Sequence, residues 1–129
     1  MVFMPCYTDN IVKLLICDDD LYTRKAIESV FDIEQFETKS VDSAIEAIQA
    51  IKTSPFDLVL MDIDMPELNG IEAIKTIQAF KKDQKVIIIT GHKLTDVMSS
   101  AYRHLNVYDI IEKPFDIEYL RGIVDEALL

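Results

Sequence analysis

Cysteine is scarce in this chain. Cys6 and Cys17 are the only two in 129 residues, and their spacing matches neither a zinc site nor a redox pair. Cys17 lies inside an apolar run, where a buried and inert thiol is expected. Basic charge is also in short supply: 13 Lys and Arg stand against 23 Asp and Glu, a formal net charge of −10. That balance argues against direct nucleic-acid binding and against attraction to an anionic membrane surface. No run approaches the roughly 20 apolar residues needed to span a bilayer, and Met1 to Asn10 has no signal-peptide hydrophobic region. The expected compartment is therefore cytoplasmic. His92 and His104 have no third ligand at metal spacing and read as surface residues. Internal repeats, low-complexity tracts and linkers are absent from the sequence.

What remains is an ordinary globular balance, 50% apolar and 28% charged. A chain of this length forms one domain and buries a core without staples. Residues 12–129 read as that domain, and 1–11 as an N-terminal extension with neither order nor function expected.

Apolar segments of two periods alternate along the domain. Leu14–Cys17, Leu58–Met61, Val86–Ile89 and Val107–Ile111 are short, continuous and rich in branched residues, as strands covered on both faces should be. The more polar Phe36–Val41 suits an edge strand. Between them, helical spacing appears at Ala26, Ile27, Val30 and Phe31, then at Ala44, Ile45, Ile48 and Ile51, and at Ile71, Ile74 and Ile77. It recurs at Leu94, Val97, Met98, Ala101 and Leu105, and at Ile117, Leu120, Val124, Ala127 and Leu128. Ser43 with Glu46 reads as a capping box, and Asp116 as a cap with Phe115 and Leu120 as its staple. The βαβαβαβαβα order calls for a five-stranded parallel sheet with helices on both faces, a three-layer α/β sandwich. Right-handed crossovers and the order 2-1-3-4-5 gather Asp18, Asp19, Asp62, Thr90 and Lys113 outside the carboxyl ends of the strands, where ligands bind in such sheets.

These residues form a chemically coherent set. Clustered carboxylates, with a main-chain carbonyl and waters, satisfy an octahedral Mg²⁺. An aspartate can attack phosphorus to give an acyl phosphate. The transfer then needs positioning and charge neutralisation, which an ammonium such as Lys113 and a hydroxyl such as Thr90 can supply together with a metal.

Asp18-Asp19, Asp62-Ile63-Asp64-Met65-Pro66 with Asn69-Gly70, Thr90-Gly91 and Lys113-Pro114-Phe115 together resemble the receiver domain of two-component response regulators. The resemblance runs over roughly residues 12–128 and includes the flavodoxin-like strand order that chemotaxis receivers share. It implies that Asp62 accepts a phosphoryl group from a sensor histidine kinase or a histidine phosphotransfer protein. It implies Asp19 and Asp62 as direct Mg²⁺ ligands, Asp18 acting mostly through water, and the main-chain carbonyl of Asp64 as a third protein ligand. Thr90 and Lys113 would contact the phosphoryl oxygens and report to the face made by the fourth helix, fifth strand and fifth helix. A cis Lys113–Pro114 bond, a downstream protein target or output domain, and a phosphorylation-dependent homodimer are further expectations. On this resemblance the domain would catalyse its own phosphorylation and dephosphorylation, but its output would be binding, so it is not read as a conventional enzyme. The chain is either a stand-alone receiver or a piece of a longer regulator.

Two positions depart from the resemblance. The usual aromatic or histidine three residues before the lysine is Ile110 here, and the nearest aromatic is Tyr108. Asp64 is acidic where the side chain faces the attacking water, and with His92 it is expected to tune hydrolysis of the aspartyl phosphate. Two rivals stand beside the receiver reading. One is a phosphohydrolase with an aspartyl-phosphate intermediate, in which Asp64 is the second aspartate. The other is a binding-only receiver that has lost its switch, for which Ile110 is the support.

Overall fold

The computed structural model describes residues 11–65, 70–92, 95, 100, 102 and 104–129. The expected N-terminal extension lies outside them except for Ile11, as does most of the helical stripe expected between 94 and 105. In chain order the elements are β1 (Val12–Cys17), α1 (Leu21–Val30), β2 (Phe36–Val41), α2 (Ala44–Thr53) and β3 (Leu58–Asp62). They continue with α3 (Gly70–Phe80), β4 (Val86–Thr90), β5 (Asp109–Glu112) and α4 (Ile117–Ala127). The five strands form one sheet in the order β2-β1-β3-β4-β5, and every neighbouring pair is parallel.

Side-chain alternation divides the apolar strands between two cores. Leu15, Cys17, Val59, Met61, Val86 and Ile88 face Ala47, Ile51, Ala73, Ile74 and Ile77 of α2 and α3. Leu14, Ile16, Leu58, Leu60, Ile87 and Ile89 face Ile27 of α1, Phe31 just beyond it, and Leu120 and Val124 of α4. Each fully buried Leu or Ile contributes roughly 2 kcal/mol by leaving water. Both faces of β1, β3 and β4 do this, which is why those strands read as unbroken apolar runs.

Helix starts follow local chemistry. Ser43 Oγ accepts from the N–H of Glu46 at 3.2 Å, and Asp116 Oδ1 accepts from the N–H of Glu118 at 2.8 Å, so both expected caps form. Phe115 packs on the cluster that contains Leu120. The last strand differs from the sequence expectation: β5 begins at Asp109, not at Val107. Asn106 turns the chain through a left-handed conformation (φ 53°), which asparagine tolerates, and ladder pairing with β4 begins only at Asp109 opposite Ile87.

Candidate functional site

Three consecutive aspartates leave β1 and part immediately. Asp18 is 1% exposed, and its Oδ1 accepts from the N–H of Asp20 at 2.8 Å. Asp19 is exposed beside it. Asp20 caps α1, its Oδ2 accepting from the Thr23 hydroxyl at 2.6 Å and from the Thr23 N–H at 3.3 Å. Arg24 Nη1 fastens the turn by donating to the Asp18 carbonyl at 2.7 Å, a contact that the sequence pattern did not suggest.

Asp62 is the last residue of β3 and only 2% exposed. Gly70 holds α3 close behind it: a Cβ there would come within 2.6 Å of the Asp62 carbonyl oxygen and of Ile63 Cα. Thr90 closes β4 fully buried. Beyond β5, the N–H of Lys113 donates to the Thr90 carbonyl at 2.7 Å, and the Lys113–Pro114 peptide is cis, as expected.

Carboxylate oxygens of Asp18, Asp19 and Asp62 lie within 4.8 Å of one another. The Lys113 ammonium bridges the two buried ones, 2.8 Å from Asp18 Oδ2 and 3.3 Å from Asp62 Oδ2. Burial drives the pKa of Asp62 up to about 6, and the Asp18 charge adds to the rise; the Asp64 N–H and Lys113 oppose it. Burial alone would lower the pKa of Lys113, yet its bonds to Asp18 and Asp62 raise it above the ordinary value. An all-oxygen donor set with excess negative charge is the chemistry that suits a hard divalent cation, and these three side chains fit such an ion.

Asp64 joins the ends of β3 and β4. Its main-chain N–H donates to Asp62 Oδ1 at 2.9 Å, and its carboxylate turns to the end of β4. Oδ2 accepts from the Thr90 hydroxyl at 3.0 Å and from the Gly91 N–H at 2.6 Å, and Oδ1 lies 2.7 Å from His92 Nδ1. Burial works against its charge, but the bonds from Gly91, His92 and Thr90 prevail and hold its pKa below the ordinary value. His92 is a surface residue, as expected, with a 71% exposed side chain, and it is also part of this cluster. The signal for that pairing, an acid two residues after one strand end and a histidine two residues after the next, becomes legible only once the strands are neighbours.

Ile110 is half-buried against the α2–α3 core, and Tyr108 precedes β5 and is exposed. Among the described residues, Tyr102 is an aromatic buried in that same core. An open, mostly apolar groove of about 540 Å³, lined by Tyr22, Ala26, Lys113, Pro114 and Ile117 among others, reaches the site from the α1 side. No described helix is long and apolar enough to cross a membrane.

Comparison with known proteins agrees with this arrangement. The sequence profile of the response regulator receiver domain matches residues 14–125. The chain is 30% identical over 116 residues to sporulation initiation phosphotransferase F of Bacillus subtilis, covering 90% of this chain and 93% of that protein. It is 33% identical over 116 residues to the regulatory protein AtoC of Escherichia coli, of which it spans 25%. A CheY-like receiver domain from Methanospirillum hungatei superposes with a TM-score of 0.85 at 24% identity, over 92% of this chain and 94% of that one. With profile and relatives in agreement and the fold shared, the chain belongs to the response regulator receiver domain family of two-component signalling.

Proposed function

We propose that Asp62 is the phospho-acceptor of residues 12–129 acting as a receiver, with Asp18, Asp19, Asp62 and the main-chain carbonyl of Asp64 holding Mg²⁺. The carrying observation is the Lys113 ammonium set between Asp18 and Asp62, beside a third carboxylate within 4.8 Å. The Lys113 ammonium puts a fixed positive charge at Asp62, and the carboxylate cluster offers a place for a cation, together the neutralisation that phosphoryl transfer requires. A bound Mg²⁺ would supply charge neutralisation at the phosphoryl oxygens. An Asp62 oxygen attacks phosphorus, the P–N bond of a donor phosphohistidine breaks, and the freed imidazole takes up a proton. Lys113 and Thr90 take the phosphoryl oxygens.

The donor is a sensor histidine kinase or a histidine phosphotransfer protein. Phosphorylation shifts a two-state population and changes affinity for a downstream target, an output domain or a second copy of the chain. The product is a binding state, so the domain signals and does not turn over a substrate. A phosphohydrolase would need Asp64 to donate a proton, but its carboxylate accepts from three donors and has a lowered pKa.

The test is intact mass after incubation with acetyl phosphate and Mg²⁺. A gain of about 80 Da, lost in Asp62→Asn and in EDTA, supports the reading. No gain from acetyl phosphate or from a kinase-borne phosphohistidine rejects it.

A further inference from the structure

Asp64 holds both halves of the site at once. Its main-chain N–H is on Asp62 Oδ1, and its carboxylate gathers three donors from consecutive residues at the end of β4: Thr90, Gly91 and His92. The His92 N–H also donates to Thr90 Oγ1 at 3.1 Å. An ionised carboxylate only accepts, so Nδ1 of His92 carries a proton in this contact. A threonine hydroxyl has a single proton to give, and here Asp64 takes it. Thr90 cannot donate to a phosphoryl oxygen on Asp62 while that bond stands.

We propose that the Asp64 carboxylate is a latch, a positioning residue that holds Thr90 in its unphosphorylated arrangement until a phosphoryl group on Asp62 outcompetes it. The proposal rests on Asp62 as phospho-acceptor and adds the group that opposes activation. Like-charge repulsion between the phosphoryl group and Asp64 favours release. Because the three donors are consecutive, release frees the end of β4 as a unit, including the exposed His92 ring. The signal then leaves through the main chain at 90–92 without an aromatic at Ile110.

The experiment is a double-mutant cycle read by the affinity of beryllium fluoride, a phosphoryl stand-in, at saturating Mg²⁺. Asp64→Ala should bind it about tenfold more tightly than the parent, the size of one charge-assisted hydrogen bond. In a Thr90→Ala background the same substitution should tighten binding much less, by charge repulsion alone, and in Thr90→Ser, which keeps the hydroxyl, the full tightening should return. Equal tightening with and without the hydroxyl would mean plain charge repulsion and overturn the latch, as would no tightening at all. In metal-free Asp64→Asn, the Gly91 and His92 amide resonances should move toward the fluoride-loaded positions of the parent. Should the parent take up no fluoride, the acceptor role of Asp62 fails. The latch falls with it, whereas fluoride uptake with unmoved Gly91 and His92 amides in Asp64→Asn overturns the latch alone.

Discussion

Lys113 donates to Asp18 at 2.8 Å across 95 positions of sequence. That bond is shorter than the 3.3 Å contact of the same ammonium with Asp62. The lysine is therefore anchored by the carboxylate that is not the proposed acceptor.

Replacing the lysine leaves two buried carboxylates without their cation. Lys113→Met should lower the unfolding free energy of the metal-free protein by about 2 kcal/mol at pH 7, since removing one partner of a buried pair strands the other. Urea denaturation in EDTA measures this, and added Mg²⁺ should restore part of the loss. The rate of labelling by acetyl phosphate should fall roughly tenfold or more. Unchanged stability without metal would mean that the ammonium does not hold the pair.

Asp62 makes metal binding depend on pH. Its folded pKa, about 6, lies above the ordinary 3.8, so in the metal-free protein it keeps a proton that the unfolded chain has already lost. Its ionised form therefore destabilises the metal-free fold at pH 8, and that cost is relieved as pH falls from about 6 toward 4. Protons compete with the cation, and Mg²⁺ affinity should weaken about tenfold between pH 8 and pH 5. Calorimetric titration at the two values checks it, with proton release on binding near pH 6 as a second readout.

Removing the buried charge should relieve the metal-free fold. The difference between about 6 and 3.8 for Asp62 corresponds to roughly 3 kcal/mol at pH 8, a net figure that already includes the attraction of Lys113. Asp62→Asn should stabilise the metal-free protein by on the order of 2 kcal/mol while losing phosphorylation. Equal or lower thermal stability in EDTA would show that the charge is not held at a cost.

Gly70 is a steric requirement of the site. A methyl group there meets main-chain atoms at 2.6 Å, which cannot rotate aside. Gly70→Ala should cost roughly 1–3 kcal/mol through forced backbone shifts and slow the labelling of Asp62, whose carbonyl is one of the atoms displaced. Wild-type stability and labelling rate in this variant would contradict the packing.

Periodicity and strand-end chemistry carried most of this protein in the sequence. The runs at 14–17, 58–61 and 86–89 are apolar at every position because β1, β3 and β4 bury both faces, and that pattern is local enough to read directly. Asp18, Asp62 and Thr90 were legible because each follows such a run, Lys113 because it stands just beyond the stretch at 107–111, and Ser43 and Asp116 because a cap acts within three residues. The start of β5 was not legible, since a conformation at Asn106 and pairing with Ile87 set it. Nor was the grip of Asp64 on Thr90, Gly91 and His92. Those residues are 26 to 28 positions away in sequence and meet only because β3 and β4 are sheet neighbours. Local pattern determined which segments are strands and which groups stand at their ends. Which of those groups share a proton or a cation was decided by the tertiary structure, because hydrogen bonds and charges act over a few ångströms of space, whatever the distance along the chain.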